Sequence, residues 1–227
     1  MKEQIEFFIS IFPDLWEGLI VSLNLSVGAL LLGFAVGLPM AIARVYGKGA
    51  VRKIAVAYIE AIRGTPMVVQ LFIVYFGLPD LGILIDRIPA AILALGMNSS
   101  AYQAEYFRGA IQSIDSGQMM AAKALGMTKK QAIKSIILPQ ALRIVLPAWS
   151  NEVIYMVKYT SVAFLIAVPE LMAKGKMIIT WTFKPLEVLF WVGVMYVVVL
   201  SIIAKIVDFI EMKMSIPGFQ MNREEHF

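Results

Sequence analysis

The chain has 227 residues, 59% of them hydrophobic and 16% charged, with a mean hydropathy of +0.77. Soluble domains run at about 45–50% apolar and about 25% charged, so this composition describes a membrane protein, and the length suits a single domain. With no cysteine and one histidine, His226 in the tail, disulfides, thiolate metal sites and Cys-His or Ser-His-Asp chemistry are excluded, and a net charge of +4 reads as basic cytoplasmic loops rather than as nucleic-acid binding.

Residues 1–14 are mixed in charge and lack the basic region and cleavage site of a signal peptide, so the first apolar run is expected to be retained. That run, 15–43, is long enough to cross a ~30 Å hydrocarbon core, and Gly28, Gly33 and Gly37 within it permit close helix contact. Arg44, Lys48, Arg52 and Lys53 follow with no acid among them, which places this loop in the cytoplasm and the N-terminus outside. A second span is expected over 54–78, kinked at Pro66, and a third over 88–114. The third is polar for a span, holding Asn98, Ser99, Ser100, Tyr102, Gln103, Glu105 and Arg108, so one side of it should face protein or water.

The stretch 117–139, GQMMAAKALGMTKKQAIKSIILP, interrupts the apolar pattern. Its spacing predicts an amphipathic helix, a turn at Gly126, a second short helix and a stop at Pro139. Lys123, Lys129, Lys130 and Lys134 face only Asp115, so it too is cytoplasmic. A fourth span is expected over 148–168, an outer segment over 169–187 and a fifth span over 188–209, with a polar cytoplasmic tail from Glu211. The expected fold class is thus all-α integral membrane with five spans, the N-terminus outside and the C-terminus cytoplasmic. Trp181, Phe183, Trp191 and Tyr196 read as interfacial and packing aromatics, and Met119 and Met120 as packing or partner contacts.

There is no phosphate-binding loop of the GxxxxGK[ST] type, so any energy source lies in another protein. The informative residues are ionisable groups inside spans: Glu60, Glu105, Glu152 and Lys158, each costing at least ~2.5–3.5 kcal/mol at a helix centre. Two readings stand. They form structural ion pairs, Glu152 with Lys158 and Glu60 with Arg63, or they face a ligand. Asn98, Tyr102 and Glu105 share one helix face by spacing, as do Glu152 and Tyr155. If those faces meet they make either a polar helix seam or a small cavity suited to a zwitterion.

Gln118-Met119-Met120-Ala121-Ala122-Lys123-Ala124-Leu125-Gly126, followed by Ile136-Ile137-Leu138-Pro139, resembles the EAA loop of ABC importer permeases, EAA-x3-G-x9-I-x-LP. Arg63-Gly64-Thr65-Pro66 with Gln70-Leu71-Phe72, Tyr102-Gln103-Ala104-Glu105 with Phe107-Arg108-Gly109, Asn151-Glu152, and Lys158 with Thr160-Ser161 resemble the polar amino acid uptake branch over nearly the whole chain. The resemblance implies a type I permease fold in a bacterial inner or plasma membrane. It implies no enzyme activity in this chain. The partners would be two ATPase subunits using ATP and Mg, a second permease (identical or a close paralogue), and an extracytoplasmic amino acid-binding protein. The loop residues Gln118, Met120, Ala121, Ala122, Lys123, Gly126, Leu138 and Pro139 would receive the ATPase, and Asn98, Glu152, Tyr155, Glu105, Glu60 and Tyr102 are the candidates for substrate contact. Met120 stands where the motif has glutamate, so a carboxylate pair with the ATPase is missing. Three span carboxylates favour a cationic L-amino acid such as arginine, lysine or histidine. A glutamine or glutamate permease is the alternative. From a different class, an ATP-independent channel, an ion-coupled carrier or a membrane scaffold would also use embedded charges or the basic stretch.

Overall fold

The computed structural model describes residues 2–214, and those residues fold as helices joined by short turns. The tail with His226 lies outside them. Helix α1, Lys2–Tyr46, has 45 residues and is about 67 Å long at 1.5 Å per residue, roughly twice the hydrocarbon core. It packs along α5, Arg87–Gln112, the polar helix at the centre of the bundle. The contact is close because both sides are small. A Cβ on Gly37 would meet the Ser100 carbonyl oxygen at 2.6 Å, one on Gly96 would meet the Leu32 side chain at 2.6 Å, and one on Gly33 would strike Gln103 Nε2. Small residues of this kind let membrane helices approach where lipid supplies no hydrophobic drive. Gly37→Val is therefore expected to push α1 off α5 and cost about 1–3 kcal/mol, read as a lower melting temperature in detergent. Gly193→Val in the C-terminal helix, with no atom within 4 Å of its Cβ position, should melt like wild type.

Helix α2, Gly49–Gly64, runs back against α1 and buries Ala55 and Ile59. It ends at Thr65, whose extended backbone is what a residue before proline adopts. Helix α3, Met67–Phe72, then leaves at 106° to α2. The expected single span over 54–78 is therefore a sharply broken pair. Pro66 supplies no N–H to α2, and Gln70 takes up the freed carbonyls: its Nε2 donates to Ile62 O at 2.7 Å and to Thr65 O at 2.9 Å.

A π turn, Ile73–Gly77, leads into the short α4, Leu78–Asp80. After α5 comes α6, Ser116–Ala124, capped by Asp115, which accepts from Gly117 N at 2.6 Å. Helix α7, Lys129–Ala132, starts on a Thr128/Gln131 capping box and passes through a second π turn, Ile133–Ile137, into α8, Leu138–Ile144. The expected stop at Pro139 does not occur. Proline falls at the first turn of α8, where its missing N–H costs little, and the chain stays helical.

Helix α9, Leu146–Tyr159, follows at a bend of 56° and tightens into a 3₁₀ segment, Thr160–Ile166. Helix α10, Leu171–Thr182, lies against α1 and α11, Pro185–Met214. Glu170, fully buried, caps α10 by accepting from Met172 N at 2.9 Å and Ala173 N at 2.8 Å.

By length and apolarity alone, α1 and α11 can cross a membrane, and four crossings are reached when each bent pair counts once. The five-span reading also needs α5. Its polar residues hold it below that threshold, and they are covered by protein: Asn98, Ser99, Ser100 and Gln103 are all buried.

Candidate functional site: a buried carboxylate network and an exposed helical loop

Glu152 of α9 is 6% exposed and points at α5. Ser99 Oγ donates to Glu152 Oε1 at 2.6 Å and Tyr106 OH donates to Oε2 at 3.3 Å. Gln103, one turn from Ser99, donates from Nε2 to Ser99 Oγ at 3.0 Å and to Leu30 O at 3.2 Å, and Trp149 Nε1 donates to Gln103 Oε1 at 3.0 Å. One network thus joins α1, α5 and α9. Among the described residues no ion pair reaches Glu152. The expected pairing with Lys158 is absent because Lys158 lies on the other side of α9, its Nζ 5.1 Å from the Tyr155 ring centroid. A buried carboxylate with hydrogen bonds and no counter-charge is costly to keep, which marks it for function.

Tyr155 is 52% exposed, so it and Glu152 diverge although they are three residues apart. Asn151, Tyr155, Lys158 and Tyr159 form an exposed polar stripe on α9. Polar groups in a span are disfavoured against lipid, so this stripe faces water or another subunit. Asn98 is buried beside the network yet bonded elsewhere, its Nδ2 donating to Gln70 Oε1 at 3.2 Å.

Glu105 belongs to a separate cluster. Its carboxylate lies 3.1 Å from Arg44 Nη1, 2.9 Å from Arg108 Nη2 and 3.8 Å from Arg63 Nη1, with the Glu105 side chain 13% exposed. Arg63 also sits 5.3 Å from the centroid of the Tyr102 ring. Glu60, 66% exposed at its side chain, pairs with Arg44 at 3.8 Å and not with Arg63. The six substrate candidates therefore divide into the Glu152 network, Asn98 with Gln70, exposed Tyr155, and an arginine-bound group of Glu60, Tyr102 and Glu105. The sequence reading passed over Gln70, Ser99, Gln103, Tyr106 and Trp149 as site residues. For Ser99, Gln103 and Tyr106 the signal is their spacing, at four and seven residues along one helix face, whereas Gln70 and Trp149 lie on other helices and carry none.

The loop candidates gather at the end of the bundle where Lys129 Nζ donates to Tyr46 O at 3.0 Å. Gly126 has φ +79° and closes α6: its N–H donates to Lys123 O at 2.9 Å and Met127 N donates to Ala122 O at 3.0 Å. Ala122 is buried, whereas Gln118, Ala121, Lys123, Met120 (64% exposed) and Leu125 (83% exposed) stand outward. An open groove of about 310 Å³ is lined by Gln118, Ser135, Ile136, Pro139, Gln140 and Arg143. A larger one of about 420 Å³, lined by Arg52, Lys53 and Glu60 among others, opens along α2. Beneath the loop, Ile137, Ala141 and Val145 are buried with Phe107, Ala41 and Ile59, and Leu138 packs on the same cluster. The loop is thereby fused to α5 one residue from Tyr106.

A polar helical core under an exposed helix–Gly–helix loop fits what the EAA-loop resemblance implies for a permease subunit. Residues 29–211 match the family described as binding-protein-dependent transport system inner membrane component. The chain belongs to that family and is an amino acid ABC importer permease, a membrane protein whose ATP is hydrolysed by a separate subunit. Among its relatives, the probable amino-acid permease protein YxeN of Bacillus subtilis is 38% identical over 215 residues, covering 93% of this chain and 96% of that one. The glutamine transport system permease protein GlnP of Escherichia coli K12 is 39% identical over 208 residues, covering 90% and 94%. A crystal structure of an amino acid ABC transporter with histidines superposes with a TM-score of 0.83 at 35% identity, covering 91% of this chain and 96% of that one.

Proposed function

We propose that this chain forms the transmembrane path for a polar L-amino acid, with Glu152 as the group that recognises a cationic one. A buried carboxylate without a counter-cation, held by Ser99 and Tyr106, is the observation that carries this reading. The cationic preference now rests on Glu152 alone, since arginines engage Glu105 and Glu60. The second reading is a glutamine-type substrate. It draws support from Lys158, a cation on the exposed stripe that repels a cationic ligand and suits an α-carboxylate, and from the likeness to the glutamine permease.

In either case the N-terminus lies outside, five helices cross the membrane, and this chain works with a second permease, identical or paralogous. Two ATPases using ATP and Mg dock at 117–139, and an external binding protein delivers the amino acid. This chain itself holds no cofactor.

The test is uptake and binding in proteoliposomes holding the complete transporter, with arginine, lysine, histidine and glutamine as competing substrates. Glu152→Gln keeps polar atoms in place and removes the charge. Cationic uptake should fall about tenfold, a loss of ~1.4 kcal/mol in binding. Unchanged uptake and affinity in Glu152→Gln would count against Glu152 as a ligand group. Glutamine outcompeting all three cations in wild type would establish the second reading.

A further inference from the structure

The exposed loop carries an unbalanced charge. Between residues 113 and 145 the bases are Lys123, Lys129, Lys130, Lys134 and Arg143, and the acid is Asp115. Asp115 is engaged in capping α6, and Lys129 is turned back onto the Tyr46 carbonyl and ring. Lys123, Lys130, Lys134 and Arg143 are exposed, and no ion pair to them forms among the described residues. The same loop exposes the apolar side chains of Met120 and Leu125, 64% and 83% exposed. The position that carries a carboxylate in the motif is therefore an exposed apolar side chain on a loop that also exposes four cations without an ion pair among the described residues.

We infer that the ATPase surface received by this loop is an apolar socket with an acidic rim, and that it offers no cation to the position of Met120. Charge complementarity sets the rim, since a basic rim would juxtapose like charges. The socket follows from the two exposed side chains, which gain from leaving water only if the partner is apolar there. Restoring the motif glutamate in this chain consequently weakens the grip.

The inference rests on the coupling role proposed above, and the experiment separates the two. The permease is co-expressed with its ATPase and second permease, and two quantities are read: the ATPase retained on purification, and hydrolysis stimulated by binding protein in proteoliposomes. Met120→Gln supplies the shape and polarity of glutamate without charge, and should retain most of both readouts. Met120→Glu should lose about tenfold in retained ATPase at low salt, because its carboxylate enters a socket that offers no cation, and Lys130→Glu a similar amount, because it brings a carboxylate to an acidic rim. Retention by wild type should also fall as salt is raised. Stronger retention in Met120→Glu, or equal losses in Met120→Gln and Met120→Glu, would overturn the acidic rim. If an Ala121→Trp, Gly126→Val double variant, which disrupts the loop surface without changing its charge, still retains and stimulates the ATPase fully, the coupling role itself fails.

Discussion

Replacing Gly126 with valine is expected to abolish ATP-driven uptake while leaving the permease in the membrane. At φ +79° a β-branched side chain is forced into the left-handed region, which costs about 1–2 kcal/mol for an ordinary L-residue and more for valine. Space is not the obstacle, since a Cβ there meets nothing within 4 Å. The chain relieves the strain by giving up the two hydrogen bonds that close α6, and the angle between α6 and α7 changes with them. The loop proposed to receive the ATPase then presents Met120 and Leu125 in the wrong place. Gly126→Asn is the control, because asparagine visits the left-handed region readily, and it should keep most uptake. Wild-type uptake by Gly126→Val would show that the turn is not what the ATPase grips.

The second large effect is at Glu105. Glu105→Gln leaves Arg44, Arg63 and Arg108 without their shared carboxylate, and only exposed Glu60 remains near Arg44. Removing one partner of a half-buried ion cluster, with arginine side chains 22–43% exposed, costs about 1–3 kcal/mol, between a surface pair and a buried one. The melting temperature in detergent should fall by roughly 2–12 °C at 2–4 °C per kcal/mol. Glu60→Gln, at a side chain 66% exposed, should cost under ~1 kcal/mol. A double variant, Glu105→Gln with Arg108→Gln, should recover part of the loss by removing one stranded charge. Equal melting of Glu105→Gln and Glu60→Gln would mean that the cluster is solvated and holds nothing together.

Composition and apolar runs were enough to read a helical membrane protein, and the loop spacing was enough to read its family. Side-chain partners were not legible, and Glu152 shows why. Residues three apart on a helix differ by about 60° in direction, so Glu152 and Tyr155 could share a face or straddle its edge. Burial by α5 decides it, and α5 is some fifty residues away in the chain. The Glu60–Arg63 pairing failed for the same reason: local spacing allowed it, but Arg44 comes back from α1. At Pro66 the kink was readable, whereas an angle of 106° was not, since it depends on Gln70 reaching back to cover the open carbonyls. Pro139 misled more simply. A proline reads as a terminator when the helix before it is assumed to be regular.

The π turns before Leu78-Pro79 and Leu138-Pro139 have a consequence of phase. Each widens one turn by a residue, and one residue on an α-helix is about 100° of rotation. Deleting a residue from Ile133–Ile137 would let α7 and α8 merge into one regular helix and turn everything after it by that amount. Ile137 and Ala141 would leave the side of Phe107, and the loop would no longer key into the bundle. The angular register between the two halves of this permease is therefore written in the length of five residues rather than in the chemistry of any one of them.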